Sequence, residues 1–184
     1  MPSRSSPNPK KNSMNIKEYE LRLVEPPRQV TITLLLRDHK ILLAMKKRGF
    51  GSGKWNGVGG KAGQNETVLE AAVRETQEEI CVVPKDLQHV GLITFYHPYS
   101  HDGQGFNQQV SVYLSRDWQG EPQETEEMRP QWFDLDAIPY HVMWWDDEIW
   151  LPLVLSGKKV LAAFMFDENE KIIDQIVEPV VDLN

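Results

Sequence analysis

The chain has 184 residues and a net charge of −7; 40% of its residues are hydrophobic and 26% are charged. This length suits one globular domain, no apolar stretch approaches the ~20 residues of a membrane span, and we expect no secretory signal because the N-terminus lacks an apolar segment. The acidic balance argues against a nucleic-acid polymer as partner, since phosphate backbones bind basic surfaces, and the single cysteine, Cys81, excludes an internal disulfide and suits a reducing compartment.

The N-terminal segment predicts a tail rather than a folded element. Residues 1–13 are rich in proline, serine and basic side chains, a composition that cannot bury enough apolar surface to fold. We therefore expect residues 1–22 to form a disordered tail and residues 23–184 to form the single domain.

Strand patterns begin directly after the tail. Residues 29–37 and 41–46 alternate as strands around a polar turn, which predicts a hairpin, and residues 159–166 and 172–177 predict a second one. Strands are also predicted over residues 90–96 and 109–114, and helices over residues 68–80 and 146–155. This order favours an α+β or α/β domain with a mixed sheet flanked by helices.

A cationic, glycine-rich loop joins the first hairpin to the first long helix. Between positions 46 and 61 there is no acidic residue, and the five basic residues are Lys46, Lys47, Arg48, Lys54 and Lys61. Six glycines share this segment: Gly49, Gly51, Gly53, Gly57, Gly59 and Gly60. Such a loop in an acidic protein favours a small polyphosphate ligand; the alternative is a mobile, solvated loop.

The helix over residues 68–80 begins with a capping-box pattern, in which Thr67 is the N-cap and Glu70 the third helical residue. Apolar residues and one threonine recur at helical spacing and predict a buried stripe. Its members are Leu69, Ala72, Val73, Thr76 and Ile80.

Three glutamates predict a second face of this helix. Glu75, Glu78 and Glu79 have the i, i+3 and i+4 spacing that makes their carboxylates converge, and Arg74 lies four residues from both Glu70 and Glu78. Converging carboxylates need a cation, and hard oxygen ligands suit Mg²⁺. The alternative is an ordinary solvated acidic face.

Loop and helix together resemble the Nudix box, G-x5-E-x7-R-E-U-x-E-E-x-G-U, in which U is apolar. The positions that match it in register are Gly60, Glu66, Arg74, Glu75, Glu78, Glu79 and Val82. Thr76 replaces an apolar residue and is expected to bond a helix carbonyl. Cys81 replaces a glycine, and a left-handed conformation there would cost ~1–2 kcal/mol.

The resemblance extends to one branch of the family, the animal MutT homologues that hydrolyse oxidised purine nucleoside triphosphates. It covers most of residues 30–178 and is carried by strings outside the box, including MKKRGFG from position 45, WNG from 55 and EMRP from 127. The resemblance implies the α+β Nudix fold, in which a curved mixed sheet is sandwiched between α-helices around a catalytic loop-helix-loop.

The resemblance also implies roles for individual residues. The catalytic group comprises Arg74, Glu75, Glu78, Glu79 and Glu127. The metal ligands are Gly59 through its carbonyl, Glu75, Glu78, Glu79 and Glu127. The substrate-binding residues are Thr31, Lys46, Asn56, Val58, Gly59, Gly60, Lys61, Phe95, Trp144, Trp145, Asp146 and Asp147. The metal is Mg²⁺, with Mn²⁺ as an alternative.

The chemistry of four of these residues supports the prediction that they bind the base of the nucleotide. Asn56 carries a donor and an acceptor for a purine edge, and Trp144 can stack on the base, a contact worth ~1–3 kcal/mol. Asp146 and Asp147 can share one proton and so meet different base tautomers. The alternative for the two aspartates is a helix start whose charges complement the helix dipole.

Several departures from these relatives bear on base preference. Trp145 replaces a proline, Val58 replaces a phenylalanine, and the segment from 95 to 110 is a few residues longer. The five histidines show no metal-ligand or triad spacing, so none receives a role.

The implied reaction is attack by a metal-activated water on a nucleoside triphosphate, giving the monophosphate and pyrophosphate. The alternatives are the same chemistry on another nucleotide, such as an ordinary triphosphate, ADP-ribose or a dinucleoside polyphosphate, and a non-catalytic nucleotide-binding module. The expected partner is a small-molecule triphosphate, with no nucleic-acid polymer or membrane. We expect a cytoplasmic monomer, with the mitochondrial and nuclear pools as alternative locations.

Overall fold

The computed structural model describes residues 14–100 and 106–183. In these residues the helices are α1 (Ile16–Glu20), α2 (Val68–Ile80) and α3 (Asp147–Leu155), and a 3-10 turn spans Tyr140–Val142. The strands are β1 (Arg28–Arg37), β2 (Lys40–Lys46), β3 (Trp55–Asn56), β4 (Val83–Lys85), β5 (Gln88–Tyr96), β6 (Gln108–Ser115), β7 (Asp117–Gln119), β8 (Met128–Asp134), β9 (Lys159–Phe166) and β10 (Ile172–Val180).

Eight of these strands form one mixed sheet in the order β10-β9-β5-β6-β1-β2-β3, and β8 also pairs with β2. The β1–β6 and β5–β9 pairs are parallel, whereas the other pairs are antiparallel. β4 and β7 form a separate two-stranded sheet. The predicted hairpins are both present as β1–β2 and β9–β10.

The β1–β2 hairpin opens beyond its first three residue pairs. Leu35, Leu36 and Arg37 pair with the start of β2, but farther from the turn β1 instead forms isolated bridges with the loop after β3. These bridges join Thr33 to Val58 and Val30 to Lys61. The glycine-rich loop therefore lies between two strands that have separated, and its backbone is fixed by both.

Strand residues point alternately to opposite sides of the sheet. Both faces therefore carry apolar side chains, and helices cover both. On one side Leu34 and Leu36 belong to a core with Trp150 and Leu151 of α3. On the other side Leu35 packs with Ile80 of α2, and Met165 packs with α1. The predicted α+β fold with a sandwiched mixed sheet is confirmed.

Helix α2 has the predicted bounds. The Thr67 hydroxyl accepts a hydrogen bond from the Glu70 backbone N–H, and the Thr67 backbone N–H donates to the Glu70 carboxylate. The Thr76 hydroxyl donates to the Ala72 carbonyl at 2.7 Å, as expected for a buried threonine in a helix. The predicted buried stripe was wrong at Leu69, which is 45% exposed, whereas Ala72, Thr76 and Ile80 are buried.

The prediction that residues 1–22 are disordered was wrong for residues 14–22; residues 1–13 lie outside the described residues. α1 begins with a capping box between Asn15 and Glu18, and Ile16 and Tyr19 are buried against β5 and β9. The Ile16 N–H also donates to Asp174 Oδ2 at 2.8 Å. The capping pattern and the i, i+3 apolar pair were visible in the sequence, but five residues are too few to predict a helix without its tertiary contacts.

Two truncations test separately whether residues 1–13 and the helix α1 contribute to stability. We expect deletion of residues 1–13 to leave the melting temperature unchanged, because that segment has too few apolar side chains to pack on the domain. Deletion of residues 1–22 should lower stability by about 2–4 kcal/mol, since it exposes the surface covered by Ile16 and Tyr19. Thermal unfolding of both proteins tests this, and identical melting temperatures for the two would contradict it.

The C-terminal cap of α2 generates a second prediction. Cys81 has φ 63°, a left-handed conformation that favours glycine. Cys81→Gly should therefore stabilise the protein by about 1 kcal/mol in urea unfolding. Cys81→Ala is the matched control, since it removes the thiol but keeps the strained backbone; equal stability of both variants would argue against the backbone explanation.

Candidate functional site

A cavity of about 510 Å³ lies where β1 and β2 separate. Its wall combines acidic, basic and aromatic groups contributed by all parts of the chain. The acidic residues are Glu75, Glu79, Glu127, Asp146 and Glu170, and the basic residues are Arg28, Lys46, Lys54 and Lys61. The aromatic residues are Phe50, Phe95, His97, Phe106, Trp144, Trp150 and Phe166. Pockets of this size suit a nucleotide-sized ligand.

Glycine is required where the loop after β3 enters the cavity wall. A Cβ atom on Gly59 would overlap the Thr31 carbonyl, and one on Gly60 would lie 2.5 Å from the Glu75 carboxylate. Backbone bonds fix this approach, since the Thr31 N–H donates to the Gly60 carbonyl at 2.8 Å. The loop thus brings the Gly59 N–H directly against the Glu79 carboxylate of α2.

Arg74 organises the acidic face of α2. Its guanidinium donates to Glu66 at 2.6 and 3.0 Å, and to Glu75 and Glu78 at 2.9 Å each. The bidentate contact with Arg74 is the main reason that the pKa of Glu66 falls to about 2. The predicted pairing of Arg74 with Glu78 is present, whereas Glu70 instead bonds Thr67 in the capping box.

Glu79 differs from the other glutamates of α2 because it is buried. Only 6% of it is exposed, and its carboxylate accepts the Gly59 N–H at 3.2 Å. Burial raises the pKa of Glu79 to about 7, and the neighbouring carboxylates of Glu75 and Glu127 add to this shift, while the Gly59 N–H and Lys46 oppose it. A carboxylate that is desolvated among other carboxylates favours a bound cation.

Glu127 enters the cavity from the start of the β8 region and pairs with Arg48 of the glycine-rich loop at 2.6 Å. Arg48 holds the pKa of Glu127 below its usual value. Both side chains are at least half exposed, so the ion pair itself contributes little stability. The ion pair instead helps to position the glycine-rich loop, because it links that loop to the acidic wall of the cavity.

The predicted metal ligands fit a hard divalent cation in their chemistry, since each would contribute an oxygen atom. Gly59, Glu75, Glu79 and Glu127 line the cavity together, whereas Glu78 does not and has a 60% exposed side chain paired with Arg74. Among the described residues, no three acidic, histidine or cysteine side chains are gathered into a metal-binding group. Glu75 and Glu78 instead pair with Arg74, and Glu127 pairs with Arg48.

Asp146 and Asp147 are buried at the start of α3. Asp146 accepts the indole N–H of Trp150 at 3.0 Å, and Asp147 accepts the backbone N–H of Trp144 at 3.0 Å. Burial raises the pKa of both carboxyls, and the Asp146 charge raises that of Asp147 further. Neither aspartate makes a side-chain cap bond to the α3 backbone, so a solvated helix start does not explain them.

An aromatic assembly closes another part of the cavity wall. Trp144 stacks on Phe50 with ring centroids 5.1 Å apart, and Lys54 Nζ lies 4.7 Å from the Trp144 ring centroid. Phe50 in turn contacts Phe106 edge-to-face at 5.4 Å. A Cβ on Gly51 would lie 2.9 Å from Trp144, so this loop also needs glycine for close approach. A flat ligand group could stack on these rings.

Phe50, His97, Phe106 and Phe166 are aromatic cavity residues that were not predicted from the sequence. The glycines on either side of Phe50 were a usable signal, since they mark a loop that can approach a ligand closely. His97 had none, because it lacks any partner pattern in the chain. Burial lowers the pKa of His97 to about 4, so its ring is neutral at pH 7 and behaves as an aromatic wall.

Three predicted substrate residues lie outside the cavity lining. Val58 is fully buried in the core beneath α2, because its backbone pairs with Thr33 and directs its side chain away from the cavity. Trp145 is 64% exposed, and Asp147 is buried behind Trp144. A contact with substrate therefore stays a prediction for Val58, Trp145 and Asp147. The other predicted substrate residues line the cavity: Thr31, Lys46, Asn56, Gly59, Gly60, Lys61, Phe95, Trp144 and Asp146.

In the described part of the chain, no helix has the length and apolar character needed to cross a membrane.

The family model for the NUDIX domain matches residues 26–154. An oxidized purine nucleoside triphosphate hydrolase of Danio rerio is 42% identical over 154 residues, which cover 84% of this chain and 96% of that protein. The Mus musculus protein of the same name is 42% identical over 146 residues, covering 79% of this chain and 91% of the relative. A mutator MutT protein from Bacillus halodurans shares the fold, with a TM-score of 0.71 at 19% identity over 83% of this chain and 99% of that one.

Proposed function

This chain belongs to the Nudix family, and from that premise we propose that it hydrolyses oxidised purine nucleoside triphosphates, of the 8-oxo-dGTP and 2-oxo-dATP type, to the nucleoside monophosphate and pyrophosphate. Its role would be to remove damaged nucleotides from the precursor pool before they reach DNA. The names of the Danio rerio and Mus musculus relatives, which this chain matches over nearly their full lengths, support this substrate class.

The buried aspartate pair beside the aromatic wall of the cavity is the main structural support for this substrate class. Asp146 lines the cavity together with Asn56 and Trp144, and Asp147 lies directly behind Trp144. The raised pKa of both carboxyls supports a shared proton at neutral pH. When the two carboxyls share one proton, Asp146, which lines the cavity, can present either a donor or an acceptor to the altered edge of an oxidised purine.

The acidic part of the cavity supports hydrolysis at the phosphate chain. Nudix hydrolases use divalent metal ions, and we propose Mg²⁺, with Mn²⁺ as a substitute, held by Gly59, Glu75, Glu79 and Glu127 and by Glu78 beside them. When bound, the ion supplies Lewis-acid activation of water and neutralises charge on the leaving phosphate.

The chain's own residues would supply the rest of the chemistry. Lys46 and Lys61 line the cavity as cations for phosphate oxygens. Arg74 fixes Glu75 and Glu78 by ion pairs, and so holds two carboxylates in place as charge moves on the substrate. A glutamate of α2 or Glu127 would accept the proton of the attacking water.

We further propose that the protein acts as a monomer on a small-molecule substrate in the cytoplasm. The net charge of −7 disfavours a nucleic-acid polymer as substrate. The single, exposed cysteine supports a reducing compartment.

Loss of one buried carboxylate tests the hydrolytic proposal. Glu79→Gln should reduce Mg²⁺-dependent pyrophosphate release by at least about 100-fold, as for loss of a central catalytic group, and leave the melting temperature at or above that of the native chain because a desolvated acid is removed. Glu70→Gln on the same helix is the matched control and should retain activity, since glutamine also serves in a capping box. Near-native turnover by Glu79→Gln, or full activity in EDTA, would refute the assignment.

Base recognition is tested by comparing substrates. We expect kcat/KM for 8-oxo-dGTP or 2-oxo-dATP to exceed that for dGTP by at least about 10-fold, because a buried polar group left unpaired by dGTP costs about one hydrogen bond. Asp146→Asn and Asp147→Asn should reduce this ratio more than they slow dGTP hydrolysis, since they keep the shape but prevent proton sharing. Glu148→Gln, at the exposed neighbouring position, is the control. Equal efficiency on oxidised and ordinary nucleotides would reject this substrate class and leave the hydrolytic chemistry standing.

A further inference from the structure

Asn107 joins three separate parts of the chain. Its side chain is fully buried; its Oδ1 accepts the His97 backbone N–H at 2.9 Å, and its Nδ2 donates to the Tyr19 hydroxyl at 3.2 Å. Its backbone carbonyl accepts the Arg28 N–H at 2.9 Å. One residue thus connects α1, the segment after β5 and the first residue of β1.

A second contact ties α1 to the same strand end. Tyr96, immediately before His97, donates its hydroxyl to Glu20 at 2.9 Å. Its ring also packs edge-to-face against Tyr19 with centroids 5.5 Å apart. α1 therefore restrains residues 96 and 97 through two independent polar contacts and one ring contact.

These restraints act on the wall of the nucleotide cavity. The His97 ring lines the cavity, stacks on Phe166 with centroids 5.0 Å apart and meets Phe106 edge-to-face at 5.0 Å. Phe106 contacts Phe50, which stacks on Trp144. A continuous series of ring contacts thus leads from the segment held by α1 to the tryptophan beside the buried aspartates.

We propose that α1 positions the aromatic wall of the cavity for nucleotide binding, with Tyr19, Glu20 and Asn107 as positioning residues. This proposal rests on the proposed function, because it assumes that the cavity binds the nucleotide base. α1 precedes residue 26, the first residue of the family match, so this helix lies outside the matched NUDIX domain, whereas Asn107 lies within it.

The contacts predict an effect on binding rather than on the chemical step. None of Tyr19, Glu20 and Asn107 lines the cavity, and the carboxylates of α2 and Glu127 are held by Arg74, Arg48 and the glycine loop instead. Removing the Tyr19 hydroxyl leaves a buried amide N–H without its acceptor. The expected response is a shift of the His97 segment, which weakens ground-state and transition-state binding alike and so raises KM with little change in kcat.

Tyr19→Phe and a pair of variants at Glu20 test the proposal by steady-state pyrophosphate release from 8-oxo-dGTP. Tyr19→Phe and Glu20→Ala should each raise KM about 3- to 10-fold, the equivalent of one hydrogen bond, with kcat within about twofold. Glu20→Gln should restore the native KM, because its amide oxygen still accepts the Tyr96 hydroxyl. Glu20 is exposed, so neither of its variants disturbs a buried position.

Tyr113→Phe is the matched control. Tyr113 is also a buried tyrosine of the domain, but it does not line the cavity, and its hydroxyl interacts with Ser111. Its loss should leave KM unchanged. A native KM in both Tyr19→Phe and Glu20→Ala would overturn the proposal, even if their melting temperatures fall, and so would a KM in Glu20→Gln as high as that in Glu20→Ala.

Failure of the positioning role of α1 can be distinguished from failure of the proposed function. If the native enzyme hydrolyses dGTP and 8-oxo-dGTP equally well, the assigned substrate class fails. The KM comparison among variants is then read with dGTP, and the positioning role is supported or overturned by the same criteria. If only the positioning role is wrong, the native preference for the oxidised nucleotide persists and the variants share its KM.

Discussion

The separation of β1 from β2 is the constraint on which the site depends. On the side of Leu35 away from the turn, the two strands no longer pair with each other, and the loop that follows β3 instead bonds to β1 through Val58 and Lys61. Because a strand pair leaves no room for side chains between backbones, only a loop with glycine at its points of closest approach can occupy this position. Gly59 against the Thr31 carbonyl and Gly60 against the Glu75 carboxylate meet that requirement. The cavity, the exposed backbone groups and the approach of α2 all follow from this one departure from a regular sheet.

Electrostatics then divide the cavity into two kinds of acid. At one part of the wall, arginines form ion pairs with Glu75 and Glu127, while Glu79 is buried, and this desolvation raises its pKa. Elsewhere, Asp146 and Asp147 are desolvated together, so protonation of one relieves the repulsion. The first arrangement favours a cation, and the second favours a neutral ligand with donors and acceptors. Their coexistence in one cavity is what a purine nucleoside triphosphate, with a neutral base and a charged phosphate chain, requires.

Much of the fold was predictable because its signals are local. Alternation over consecutive residues gave both hairpins, and the capping box with helical spacing gave the bounds of α2. The resemblance also identified Cys81 as a position where a glycine is usual, and its conformation is left-handed. The candidate site was predictable only in part. Most of the substrate set lines the cavity, yet the side chain of Val58 is in the core and Trp145 faces solvent, because a residue one position along a loop or strand points to the opposite side.

The sequence by itself determined the acidic helix, its glycine-rich approach loop and the pattern of strands, since each is encoded by neighbouring residues and short-range hydrogen bonds. The tertiary structure alone decided which side chains share the cavity. α1 is too short to be stable without the sheet beneath it, and His97 acquires its role only because Asn107, buried against Tyr19, holds its backbone. Likewise Leu69 has the spacing of a core residue but is exposed, because helical periodicity does not determine which turns of a helix other elements cover. Contacts between residues distant in sequence carry no local signature, so they appear only when the chain is folded.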